Sequence, residues 1–84
     1  MGKNLLEHQI RGIWTANLKA LRKTRGLTQS ELADKLGINM KCIGSWEEQR
    51  AFPQIEHLIK IADLFKINLR DMLTKKVMEG FIKV

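Results

Sequence analysis

The chain has one cysteine, one proline and no tyrosine. Each scarcity excludes something. A lone Cys42 cannot close an intrachain disulfide, and this usage fits a reducing, cytoplasmic setting. No uninterrupted apolar run approaches the ~18 residues of a membrane span. The opening MGKNLLEHQ carries Glu7 and no apolar stretch, so it does not read as a secretion signal. Valine is rare and strict period-two alternation appears nowhere, which leaves no candidate strand. His8 and His57 stand far apart with no cysteine or histidine partner at ligand spacing, so no metal and no cofactor is expected. Low-complexity stretches, repeats and linkers are also missing.

What is present is charge of one sign, unevenly spread. The 84 residues carry a net charge of +6, which favours an anionic partner, nucleic acid being the commonest. Between residues 11 and 25 stand Arg11, Lys19, Arg22, Lys23 and Arg25 with no acid among them. Residues 47 to 63 reverse the balance, with Glu47, Glu48, Glu56 and Asp63 against Arg50 and Lys60, a net of −2. From Lys66 onward five bases face Asp71 and Glu79. A run of this kind is as compatible with a solvated face as with a binding surface.

The apolar spacing is helical throughout, and an all-α domain of five helices is expected. Helix one is placed from about Ile10 to Arg25, with Trp14, Leu18 and Leu21 on one stripe and Gly26 as its stop. Helix two opens at Thr28, which with Glu31 forms a T-x-x-E capping box, buries Leu32, Ala33 and Leu36, and ends at Gly37. Helix three follows Asn39, a good N-cap, and runs to about Gln49. After Pro53, helix four spans about Gln54 to Phe65 with Ile55, Leu58, Ile59, Ala62 and Phe65 inward. Asn68 caps a short fifth helix that turns Leu69, Met72 and Leu73 inward.

Helices two and three are separated only by Gly37, Ile38 and Asn39, so they must cross steeply. Ala33 is small enough for close approach, Gly37 accepts a positive φ, and Ile38 is apolar inside a turn, which requires that turn to sit on a core. With Leu32, Leu36, Ile43 and Trp46 this makes a seven-position pattern, more demanding than an ordinary αα-hairpin needs.

From Asn17 to Leu73, 57 of the 84 residues, the chain resembles the lambda-repressor/Cro-like helix-turn-helix domain, the xenobiotic-response-element family. The resemblance is carried by LR-x-x-R-G-L-T-Q, ELA-x-K-LG, the I-x-x-W-E of helix three, and L-x-x-IA after the proline. It implies a compact five-helix fold and sequence-specific binding of double-stranded DNA. Its phosphate contacts would fall to Gln29, at the start of helix two, and to Arg50, in the connection after helix three. Lys23 and Arg25 are further phosphate candidates from their charge. Base contacts would come from Met40, Lys41, Gly44 and Ser45, and Arg22 and Glu47 would form a structural ion pair.

Residue chemistry points the same way. Ile43, Trp46 and Glu47 share one face of helix three, while Lys41, Gly44, Ser45 and Glu48 share the opposite one. A carboxylate on the inward face needs a cation, and Arg22 offers a bidentate one. Lys41 suits guanine, Ser45 several bases, and Met40 a thymine methyl. Gly44 costs ~1 kcal/mol relative to alanine inside a helix, which fits either close approach to a groove or a tolerated surface glycine. Glu48 is expected at the helix end, beyond the bases. Two departures stand out. Gln49 occupies a position where the family usually has glycine, which leaves open how helix three ends and where Arg50 goes. Cys42 replaces a common serine or threonine and is expected to be half-buried.

The resulting division is an N-terminal extension (1–12), a DNA-binding domain (13–74) and an apolar and basic C-terminal tail (75–84). The tail's Val77, Met78, Phe81, Ile82 and Val84 suit packing on the core or a dimer contact. The leading expectation is a prokaryotic or phage repressor, cytoplasmic and nucleoid-associated when bound, dimeric at least on DNA. The alternative is an antitoxin-type interaction module that binds a protein partner through the tail. An enzyme is not expected, because no nucleophile–base pair and no phosphate loop can be assembled from the sequence.

Overall fold

The computed structural model describes residues 2–77, with side chains from Leu6 onward. Five helices follow one another: α1 (Gly2–Thr24), α2 (Gln29–Leu36), α3 (Met40–Glu47), α4 (Ile55–Phe65) and α5 (Leu69–Thr74). Among the described residues there is no strand. No described helix is long and apolar enough to cross a membrane.

The first helix differs from expectation by starting at Gly2 rather than near Ile10. Nothing in residues 2–12 breaks a helix decisively, and an i,i+4 pair between Arg11 and Glu7 (3.1 Å) supports this stretch. Residues 2–12 of the expected N-terminal extension are thus the first part of α1. Farther along α1, Trp14, Leu18 and Leu21 are fully buried. Trp14 meets Trp46 and Phe52 edge-on, at centroid separations of 6.1 and 5.2 Å. The guanidinium of Arg11 covers the Phe52 ring from the solvent side, 4.9 Å from its centroid.

Helix α4 is rotated relative to the expected stripe. Leu58, Ile61, Ala62 and Phe65 are buried, whereas Ile55 and Ile59 are 61% and 48% exposed. The apolar density of Leu58–Ile59–Lys60–Ile61–Ala62 satisfies helical spacing in two rotations. Packing of α4 on α5 accompanies the observed one, as does the hydrogen bond from Lys60 Nζ to the Leu36 carbonyl at the end of α2 (3.1 Å).

Helix α5 places Met72 fully in the core, with Leu69 and Leu73 half-buried against it. Its end is held by Asn17, a buried polar residue on α1. The Asn17 amide donates to the carbonyls of Met72 (2.7 Å) and Lys75 (2.6 Å), and its Oδ1 accepts from the Val77 N–H (2.9 Å). One amide thus satisfies carbonyls that a helix terminus leaves unpaired. Val77 is half-buried against the core; Met78, Phe81, Ile82 and Val84 lie outside the described residues.

Candidate nucleic-acid interface

The α2–α3 unit is built from caps. Glu31 N–H donates to Thr28 Oγ1 (3.0 Å) while the Thr28 N–H donates to Glu31 Oε1 (2.9 Å), a reciprocal capping box. The Thr28 backbone, then its side chain, holds the Glu31 carboxyl below the ordinary carboxylate range. At the other end Gly37 adopts φ 69°, and Ile38 N–H reaches back to the Ala33 carbonyl (3.0 Å). Ile38 then packs half-buried on the core, and Asn39 Oδ1 accepts from Lys41 N–H to start α3.

Helix α3 presents two different faces. Inward, Ile43 is fully buried and Trp46 nearly so. Beside them the Glu47 side chain is only 3% exposed and meets Arg22 in a fork. Arg22 Nε lies 2.7 Å from Oε2 and Nη2 3.0 Å from Oε1, while Nη1 donates to the Leu27 carbonyl (2.8 Å). Gln29 Nε2 adds a third donor to the carboxylate, 3.1 Å from Oε1. Burial pushes the Glu47 carboxyl up, but the hydrogen bonds from Arg22 and Gln29, with the charges of Arg22 and Lys19, outweigh it and hold the group below its ordinary range. The same contact raises Arg22. Position 47 is therefore a fixed negative charge with both oxygens hydrogen-bonded.

Outward, Met40 and Lys41 are exposed and Gly44 and Ser45 half-exposed. These four form a shallow depression together with Gln29 and Arg50. Cys42 is exposed on this helix rather than half-buried, because it lies off the Ile43–Trp46 side that is buried.

The end of α3 answers the question raised by Gln49. This residue takes φ 60°, the left-handed conformation usually left to glycine. Gln49 N–H then donates to the Trp46 carbonyl (3.1 Å) and Arg50 N–H to the Ser45 carbonyl (2.9 Å), the two bonds of a Schellman motif. The chain doubles back and sets Arg50 beside Ser45 at the edge of the depression. Glu48, at the C-cap, pairs with Arg50 (3.2 Å) in the open, both side chains about two-thirds exposed at 64% and 66%.

The helix-one bases behave differently from one another. Lys23 is exposed on the last turn of α1. Arg25 instead donates to the Phe65 carbonyl (3.2 Å) and lies over the Phe65 ring, 5.4 Å from its centroid. Its guanidinium closes the end of α4 while the residue stays exposed. Two supporting residues were not anticipated: Asn17 and Lys60. Asn17 had a signal, a polar residue three positions from Trp14 on the buried stripe.

A family model described as "Helix-turn-helix" matches residues 18–72. Similar proteins include the HTH-type transcriptional activator BcrR of Enterococcus faecalis, 32% identical over 57 residues (68% of this chain, 28% of that protein). The cryptic phage CTXphi transcriptional repressor RstR of Vibrio cholerae is 33% identical over 51 residues, 61% of this chain and 46% of the repressor. The HTH-type transcriptional regulator YqaE of Bacillus subtilis is 34% identical over 61 residues, 73% of this chain and 53% of its own. The chain thus spans between about a quarter and a half of the length of these relatives. No solved structure matches.

Proposed function

The chain belongs to the helix-turn-helix family, and from that premise we propose that it is a DNA-binding transcriptional regulator that lays α3 in the major groove of an operator. One observation carries this reading: the expected base-facing residues Met40, Lys41, Gly44 and Ser45 line one depression with Gln29 and Arg50, while the opposite face of α3 is locked to the core. Lys41 offers donors to guanine O6 and N7, Ser45 is a short donor and acceptor, and Met40 is an exposed apolar contact for a thymine methyl. Gly44 leaves the helix low at its midpoint. Arg50 and Lys23 supply phosphate contacts, and Arg50 leaves its exposed pair with Glu48 at little cost.

The mode of action we favour is repression by occupancy, as a homodimer whose two α3 helices reach half-sites one helical turn apart, ~34–36 Å. The relative named as a phage repressor supports that choice, although another is named as an activator. Such a protein works in the cytoplasm, on the nucleoid. The test is binding to the promoter upstream of its own gene under a salt titration, where log K should fall linearly with log salt. A Lys41→Ala, Ser45→Ala variant should lose discrimination between operator and random DNA. Unchanged discrimination would remove α3 from this role.

A further inference from the structure

The orientation of the Gln29 side chain gives it a task beyond the phosphate contact expected of it, an inference that rests on the reading of α3 as a groove-reading helix. An amide has the same shape either way round, so its orientation is set by its partners. Here the partner is the Glu47 carboxylate, which is ionised by Arg22 and can only accept. The Gln29 atom 3.1 Å from Glu47 Oε1 is therefore nitrogen. With the nitrogen turned inward, the carbonyl faces out. Gln29 Oε1 stands over the exposed side of α3, 3.6 Å from where a Cβ on Gly44 would lie. It opens into the depression that holds Met40, Lys41, Gly44, Ser45 and Arg50.

After donating to Glu47 the amide nitrogen keeps a second N–H that can still serve a phosphate, but the outward carbonyl cannot, because a phosphate oxygen only accepts. The edges of bases in the major groove offer the carbonyl a partner: the exocyclic amines of adenine (N6) and cytosine (N4) are donors. We infer that Gln29 is a base-reading residue, its carbonyl accepting from an exocyclic amine, and that Glu47 positions it. Gly44 belongs to the same device. A methyl group there would sit in van der Waals contact with Oε1, 3.6 Å away, and crowd the space beside the carbonyl. The buried ion pair thereby has a second task besides closing the core, which is to hold one polar group of the reading surface the right way round.

The experiment begins with selection of preferred sites from random duplexes by the full chain. Each position of the selected site is then rebuilt with a base that lacks its exocyclic amine, purine for adenine or 2-pyrimidinone for cytosine. The wild type should lose affinity at one position by about five- to hundredfold, the range of a good base contact. Gln29→Ala should be indifferent to the same deletion, and Gly44→Ala should show a smaller loss than the wild type. Glu47→Gln, whose amide lets Gln29 turn either way, should show a reduced loss; urea unfolding checks that each variant is folded at the binding temperature. Additive losses from Gln29→Ala and amine deletion at every position would overturn the inference. So would a Gln29→Ala variant that weakens all sequences by one factor. A wild type that selects no sequence would instead sink the DNA-binding reading itself.

Discussion

Glu47 and Glu48 are neighbours in sequence, and each pairs with an arginine, yet the two ion pairs have little else in common. Arg22–Glu47 is enclosed, with side chains 11% and 3% exposed, and it is bidentate. Arg50–Glu48 is a single contact of 3.2 Å in water. One rotation of about 100° along α3 separates a carboxylate that closes the core from one that is exchangeable for a phosphate. The strength of each pair is set by where the helix turns it, and the same rotation assigns their tasks. A rigid pair anchors the reading helix, and a loose one leaves Arg50 available.

Variants on either side should separate the two pairs sharply. The largest effect is expected from Arg22→Ala, which strands a buried carboxylate and removes the donor to the Leu27 carbonyl. About 3–5 kcal/mol of stability should be lost, read as a shift in the urea midpoint; a loss below about 1 kcal/mol would make the buried pair equivalent to a surface one. Next comes acid. Because the folded Glu47 carboxyl is held below its ordinary value, the pair contributes fully above the unfolded carboxylate pKa of about 4.3. That contribution is lost as pH falls through the lower folded value, so the stability gap between wild type and Glu47→Gln should shrink in acid. A gap constant down to complete unfolding would contradict the assignment. Gln49→Gly should gain up to about 1 kcal/mol, since it relieves a left-handed side chain at some cost in unfolded-state entropy. Thermal melting resolves a change of that size. Smallest is Glu48→Ala, within about 0.5 kcal/mol of wild type in urea. It should nonetheless tighten DNA binding by freeing Arg50 and removing a negative charge from the interface, and weaker binding would mean that Glu48 itself contacts a base.

The turn between α2 and α3 was legible because its signals are local: Thr28, Gly37 and Asn39 each cap through backbone groups a few residues away. The inward placement of Glu47 followed from its place at i+4 from Ile43, next to Trp46 at i+3. Where expectation and structure part, the deciding contacts are distant in sequence. The rotation of α4 accompanies a lysine that reaches α2, and no count of apolar residues within α4 distinguishes Ile59 from Ile61. Arg25 was legible as part of a basic run, but its bond to the Phe65 carbonyl, 40 residues on, was not. The early start of α1 was missed for another reason, because residues 2–12 offer no capping signal to mark it. Of the candidate site, the exposed residues of α3 were readable from spacing. The amide orientation of Gln29 was not, since it depends on a partner 18 residues away.

The Asn17 clamp bears on how the chain is made as well as on how it holds together. Its three partners, Met72, Lys75 and Val77, lie 55 to 60 residues downstream in the order of synthesis. Until those residues have been translated, α1 carries a buried-to-be amide with nothing to bind, and the side of the core that α5 covers stays open. Assembly on the ribosome is therefore ordered: the α2–α3 unit can fold early on its local caps, whereas α1 is sealed only once Val77 has been made. A nascent chain stalled before Val77 should hold a formed turn on an unfinished core.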